Sequence, residues 1–246
     1  MRAVRSAFPP GIERRVGSSP IFACTVGDRE YWFVQTGVGL EKAGRSAAQL
    51  LNNQSFSLMV STGFACALIA ADIGTLLVGR EVVHRDVHGD ESTEVRDVPG
   101  DERDLVMTLV KTLVPPEHIG RFVSTDRIIA SAPEKRKFAL STHAIGLDME
   151  SSALAVQAQR AGVPFVIVRS VSDLLDEDLP LDFNLFLRPT GWLKGIGTVL
   201  AAPSCLLGLA RLRRQSVVAA EALTVFFRSY AAATERQNQK KELSPT

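Results

Sequence analysis

The segment from Leu147 to Asp173 limits the possible folds more than any other part of the chain. It holds a short apolar strand ending Asp148-Met149-Glu150, a helix-forming stretch over 152–161, and a β-rich run over 165–171 that leads into Ser172 and Asp173. A crossover of that length joins parallel strands, which a tight hairpin cannot do. Read this way, strand 145–149 runs parallel to strand 165–171. Glu150 and Asp173 then leave the same carboxyl edge, where open α/β sheets bind ligands, and the two carboxylates can share one pocket. The same residues also fit local duties, Glu150 complementing a helix N-terminus and Asp173 capping the loop that follows. Spacing alone leaves both readings open.

The rest of the chain repeats this grammar. Runs 21–26 and 31–36 flank Gly27-Asp28-Arg29-Glu30 as a hairpin, and Gly37-Val38-Gly39 turns into a helix over 41–51. Strands are expected at 56–61, 75–83 and 119–124, with helices over 102–113 and after Pro133, whereas the charged stretch 84–101 reads as a surface excursion. This alternation predicts an α/β fold, a three-layer αβα sandwich around a mixed, strongly twisted and largely parallel sheet. A length of 246 residues, 46% of them hydrophobic, suffices for one such domain over 1–230. Within it, 193–230 reads as two or more helices broken near Pro203, and 231–246 as a polar, disordered tail.

Composition removes several classes of function. Lys and Arg total 28 against 27 for Asp and Glu, which leaves no basic footprint for nucleic acid. Cys24, Cys66 and Cys205 are isolated, so neither a disulfide framework nor a zinc site is expected, and reduced thiols fit a cytoplasmic chain. Cys66 reads as inert packing rather than as a nucleophile. His84 and His88 with Asp86 and Asp90 have metal-compatible spacing, but a solvated loop is the simpler account, and no metal is assigned. The stretch mixing Leu206, Leu207, Leu209 and Leu212 with Arg211, Arg213 and Arg214 could lie on a membrane surface. Amphipathic helices more often cover a core or build a dimer interface, and that reading is taken.

Four segments in order resemble the purine nucleoside phosphorylase and nucleosidase superfamily: Thr36-Gly37-Val38-Gly39, Val60-Ser61-Thr62-Gly63-Phe64-Ala65-Cys66-Ala67-Leu68, Leu147-Asp148-Met149-Glu150, and Arg169-Ser170-Val171-Ser172-Asp173. Within it the chain is most similar to methylthioadenosine and adenosylhomocysteine nucleosidases and to hopanoid-associated phosphorylases, which share a Leu-Pro-rich stretch after the Asp and a long Arg-bearing helical end. The resemblance implies cleavage of the N-glycosidic bond of a purine nucleoside. Asp173 would be the acid to the base, with a proton retained by burial against the apolar strand, and Ser172 would orient it. Glu150 would hold the ribose hydroxyls and face an oxocarbenium-like transition state, with Met149 under the sugar. Ile128 and Ile129 would line the base and offer backbone groups to its edge. Phe64, Ala65 and Cys66 would line the nucleophile side, where family members carry small, hydroxyl or Gly residues.

That departure bears on the nucleophile. The resemblance implies either water, as in hydrolysis of a 5′-modified adenosine, or phosphate as co-substrate. It equally allows a catalytically impaired nucleoside-binding homologue with Phe64 closing the site. Ser61 stands where the phosphorylases often place a phosphate-holding Arg. No other cofactor is implied, and a homodimer is. The family opens with an apolar strand and an acidic loop ahead of its first helix, whereas residues 2–9 here read as the end of that helix. The expectation is therefore a chain that starts internally, through a late start codon or a natural truncation, with reduced stability and activity.

Overall fold

Residues 2–16, 19–86, 91–96, 101–180, 184 and 204–243 are described by the computed structural model. Their strands form two sheets. The smaller is antiparallel, with β2 (Ser19–Val26) between β1 (Ile12–Val16) and β3 (Arg29–Val34). The β2–β3 hairpin is the one expected, closed by Gly27-Asp28, with Gly27 at φ 62° supplying the left-handed conformation that so short a turn needs. Strand β1 was not expected, because Ile-Glu-Arg-Arg-Val lacks an alternating apolar face and is largely exposed along the edge of β2.

The larger sheet holds β4 (Met59–Ala67), β5 (Leu76–Arg85), β6 (Glu91–Arg96), β7 (Ile119–Ser124), β8 (Gly146–Asp148) and β9 (Phe165–Asp173), in the order β6-β5-β7-β8-β4-β9. The mixed α/β class holds, but the sheet is not an open middle layer. Leu76–Gly79 of β5 also pairs with β9, and the ring β5-β7-β8-β4-β9 closes on itself. Strand β5 serves both partners in turn, β9 with its first half and β6 with Glu81–Arg85. The charged stretch assigned to a surface excursion thus contains strand β6. An edge strand has a single partner and tolerates such a sequence.

A second correction concerns β8 and β9. Cys66 and Ala67 of β4 pair antiparallel with Leu147 and Gly146, while β4 runs parallel to β9 over its length. Strands β8 and β9 therefore run in opposite senses, with β4 between them, and are not the parallel pair read from the crossover. Three-residue β8 fits between β7 and β4, so the crossover returns one strand further along.

Helices α1 (Arg2–Arg5), α2 (Leu40–Leu51), α3 (Asp101–Leu113), α4 (Ala132–Thr142), α5 (Ser151–Arg160) and α6 (Ser204–Leu243) surround the sheets. Helix α6 buries Ala219, Leu223, Phe226, Phe227, Tyr230 and Ala231, spaced three or four residues apart, against Phe8 and Phe22 on one side and Val78, Val166 and Val168 on the other. It thereby joins the small sheet to the large one. Among the described residues no helix is long and apolar enough to cross a membrane.

The polar tail expected from 231 onward is, up to Leu243, a continuation of α6. Beyond Ala231 the buried residues described there are polar, which is why hydrophobic periodicity does not reveal it. Thr234 and Asn238 are buried, the Tyr31 hydroxyl donates to Thr234 Oγ1 at 3.0 Å, and Arg29 donates to Gln237 Oε1 at 3.2 Å. Pro203 and the helix break placed there lie outside the described residues, as do His88 and Asp90. Ending the chain at Tyr230 should consequently lower the thermal midpoint by several degrees, each lost kcal/mol moving it by about 2–4 °C in a chain of this size. A calorimetric scan of the shortened and full chains checks this; equal midpoints would return the segment to the status of a tail.

Candidate active site

Strand β9 is buried along almost its whole length, yet carries a guanidinium in its middle. Arg169 is 5% exposed, and a charge so placed needs partners. Its Nη2 lies 2.9 Å from Asp148 Oδ2 and donates to Ser61 Oγ at 3.0 Å and Ser151 Oγ at 3.2 Å, while Nη1 donates to the Phe64 carbonyl at 3.2 Å. Gly63, opposite Arg169 across the β4–β9 ladder, makes room for it: a Cβ there would stand 2.8 Å from Nη1.

Asp148 is saturated in turn. Its Oδ1 accepts from Ser124 Oγ at 2.6 Å and from the N–H groups of Glu150 and Ser151 at 3.2 and 3.1 Å, and its Oδ2 accepts from the Ser151 hydroxyl. Asp148 therefore satisfies the start of α5, the local duty that spacing offered to Glu150. The Glu150 side chain makes no capping bond and turns away, its Oε1 accepting the Gly39 N–H at 3.0 Å and its Oε2 lying 3.6 Å from Arg169 Nη2. Burial pushes the Glu150 pKa above the ordinary carboxylate range; Arg169 opposes the rise and Asp148 adds to it.

The second acid sits where β9 bulges at Ser172, opposite the Ala65–Cys66 step of β4, which places Cys66 opposite Asp173. The Ser172 hydroxyl donates to Asp173 Oδ1 at 3.1 Å, and Lys135 of α4, wholly buried, donates to Oδ2 at 3.0 Å. An apolar surround was expected for Asp173; the strand is apolar, but the carboxyl has an ionic partner from a different element. The Cys66 thiol is pushed well up, by burial first and then by Asp173, and a thiol so held is a poor nucleophile.

Both acids open into one cavity of about 180 Å³. Phe64, Ala65 and Cys66 of β4 line it with Ile128 and Ile129, Met149 and Ser172, whereas Ser61, also singled out from the sequence, does not. Leu147, Asp148 and Leu179 complete the wall. Phe64 is 40% exposed and contributes to the cavity lining. One expectation changes at Ile128, whose N–H and carbonyl, meant for a base edge, are bonded to the Asn184 amide at 2.7 and 2.9 Å. Sequence reasoning missed the roles of Arg169, Asp148 and Lys135. A charge inside an apolar strand was a usable signal for Arg169, but Lys135, within Pro-Glu-Lys-Arg-Lys, offered none.

Comparison with known proteins bears on the family and the fold. The phosphorylase superfamily model matches residues 6–188. The 5′-methylthioadenosine/S-adenosylhomocysteine nucleosidase of Staphylococcus aureus is 28% identical over 173 residues, covering 65% of this chain and 76% of that protein. Among solved structures, the Helicobacter pylori nucleosidase of that name superposes with a TM-score of 0.67 at 16% identity, covering 94% of each chain. The S-adenosylhomocysteine nucleosidase of Streptococcus pyogenes, in complex with 5-methylthiotubericidin, gives 0.63 at 21% identity, covering 84% of this chain and 89% of that one. These likenesses establish the fold.

The polar network can be tested through stability. Asp148→Asn takes the nearest counter-charge from Arg169 and should cost about 3–5 kcal/mol, the penalty for uncovering a buried ion. Urea unfolding measures it, and a loss below about 1 kcal/mol, the scale of an exposed pair, would show that the network is dispensable.

Proposed function

The chain belongs to the phosphorylase superfamily, and on that premise we propose that its cavity cleaves the N-glycosidic bond of a purine nucleoside, with a 5′-modified adenosine as substrate and water as nucleophile. The observation that carries the reading is the convergence of Glu150 and Asp173, from the ends of two strands that do not pair, on one small cavity. Nucleosidase relatives by sequence and by fold support the substrate class.

Departure of an anionic base is slow, and a proton delivered to N7 makes the base a better leaving group. Asp173 is the acid in this reading, a contribution typically worth about 10²- to 10⁴-fold. As the C1′–N9 bond breaks its electron pair goes to the base, and the sugar acquires the positive charge that the Glu150 carboxylate faces. Glu150 also accepts hydrogen bonds from the ribose hydroxyls, and Met149 packs under the ring. Water is preferred to phosphate because Ser61, at the position where phosphorylases often carry Arg, already shares its hydroxyl with Ser151 at 2.8 Å and with Arg169 at 3.0 Å. A homodimer fits the apolar side chains that α6 exposes, Leu207, Val217 and Val225.

Adenosine, methylthioadenosine, adenosylhomocysteine, inosine and futalosine, each with and without phosphate, should separate the readings by base release. Adenine release from a 5′-modified adenosine without phosphate is expected. Strict phosphate dependence would make the protein a phosphorylase, and adenine binding without turnover a non-catalytic homologue. Asp173→Asn should lose about 10²-fold or more in kcat, the amide having no proton to give, whereas Glu150→Gln should weaken KM and kcat together. The pH dependence has a definite sign. Glu150 serves as a carboxylate and burial raises its pKa, so activity should fall on acidification at a pH above that of an ordinary glutamate, and Glu150→Gln should abolish that acid limb. A wild-type acid limb retained in Glu150→Gln would remove Glu150 from the chemistry.

A further inference from the structure

Lys135 is a buried charge to which that chemistry assigns no part, and it lies against the acid itself. It lies one turn into α4 with its side chain wholly withdrawn from solvent. An ammonium has three N–H donors, and all three are used: Asp173 Oδ2 at 3.0 Å, the Leu174 carbonyl at 3.0 Å and the Glu177 carbonyl at 2.8 Å. Two of these acceptors belong to the loop that leaves β9 behind the acid. The loop is latched at further points. The Asp178 carboxylate accepts the Ala132 N–H at 2.7 Å, and the Glu177 carboxylate is held by Arg211 at 2.8 Å and by Gln215 at 3.0 Å. Ordering a long side chain and burying its charge costs several kcal/mol, and the contacts that offset it all converge on Asp173 and its loop.

We propose that Lys135 is the positioning residue of the base subsite: its ammonium fixes Asp173 and the loop behind it, and stabilises the carboxylate left when the proton has gone to the base. The inference rests on Asp173 being the acid of the proposed reaction. Burial alone would make a carboxyl group reluctant to release its proton. A cation 3.0 Å from the carboxylate favours the released form, and thus assists most in the transition state, where the proton is already leaving.

The other charges around the pair have partners of their own. From β4, the Cys66 thiol faces both Asp173 and Lys135 and stays neutral. From β8 and α5, Asp148 and Glu150 share the cavity wall and are tied to Arg169 of β9. Along α4, Glu134 pairs with Arg127 and Arg136 with Asp176, while Arg211 of α6 is taken by Glu177. Removing the Lys135 charge therefore acts first on Asp173.

The test compares Lys135→Met, Lys135→Gln, Asp173→Asn and the double variant Lys135→Met/Asp173→Asn, following base release from methylthioadenosine across pH and checking the fold by circular dichroism. Gln keeps an amide donor for the loop carbonyls, so it preserves a folded variant if Met does not. Without the ammonium the carboxylate left on Asp173 loses its counter-charge. Turnover at neutral pH should fall by about 10-fold or more, within the range a positioned acid supplies. The alkaline limb of kcat/KM should move to higher pH, the direction expected when one close counter-charge is removed. In the Asp173→Asn background the lysine change should alter neither. A folded lysine variant whose alkaline limb coincides with that of the wild type overturns the inference and leaves Lys135 a structural latch. Normal turnover by Asp173→Asn would instead overturn the reading of the acid itself, and the inference with it.

Discussion

A guanidinium in the middle of a buried strand commits everything around it. Arg169 cannot reach water, so β9 can exist in its observed place only if carboxylate and hydroxyl groups meet it there. That requirement explains why β8 ends in Asp148, why α5 opens on serines, why Ser61 on β4 points inward, and why Gly63 lacks a side chain. It also explains the freedom of Glu150. Because Asp148 both neutralises Arg169 and satisfies the first N–H groups of α5, Glu150 is relieved of helix capping and directed into the cavity.

Convergence of the two acids does not require their strands to be parallel neighbours. The intervening strand β4 is in register with both: Cys66 pairs with Leu147 on one side and with Asp173 on the other. One strand end therefore fixes two acids from strands of opposite sense. The bulge in β9, with Ser172 as its extra residue opposite the Ala65–Cys66 step, brings Asp173 to the cavity wall. The same register bears on Phe64. What β4 contributes to the network at that residue is its carbonyl, which any side chain provides, while the ring stays partly in solvent.

Legibility in the sequence followed the range of the interactions concerned. The hairpin at Gly27-Asp28, helices α2 and α5, and the membership of the cavity were readable because each depends on local turn chemistry, periodicity or a short motif. Closure of the sheet was not, because pairing of Leu76–Gly79 with β9 is decided by twist and by which strand finds an edge, and neither leaves a mark in a single segment. The end of α6 was misread for a related reason. Thr234 and Asn238 are buried against a distant hairpin, and a polar face looks like a solvent face until its partner is known. Lys135 was the least legible residue of all, since charge-rich sequence around an inward-pointing lysine differs in no way from an ordinary exposed helix.

The two acids differ in how their counter-charges are arranged, and the difference matches the division of labour proposed for them. Glu150 shares Arg169 with Asp148, which holds the nearer position at 2.9 Å against 3.6 Å, so burial outweighs the cation at Glu150. A carboxylate only partly compensated within the protein retains charge to offer an external cation, which is what an oxocarbenium-like sugar presents. Asp173 has Lys135 as a counter-charge shared with no other carboxylate at 3.0 Å, so the charge left on it when a proton passes to the base meets a cation already in place. Exchanging these arrangements would leave each group poorly suited to its role. A fully neutralised carboxylate would do little for a cationic sugar, and an uncompensated one would give up no proton to a departing base.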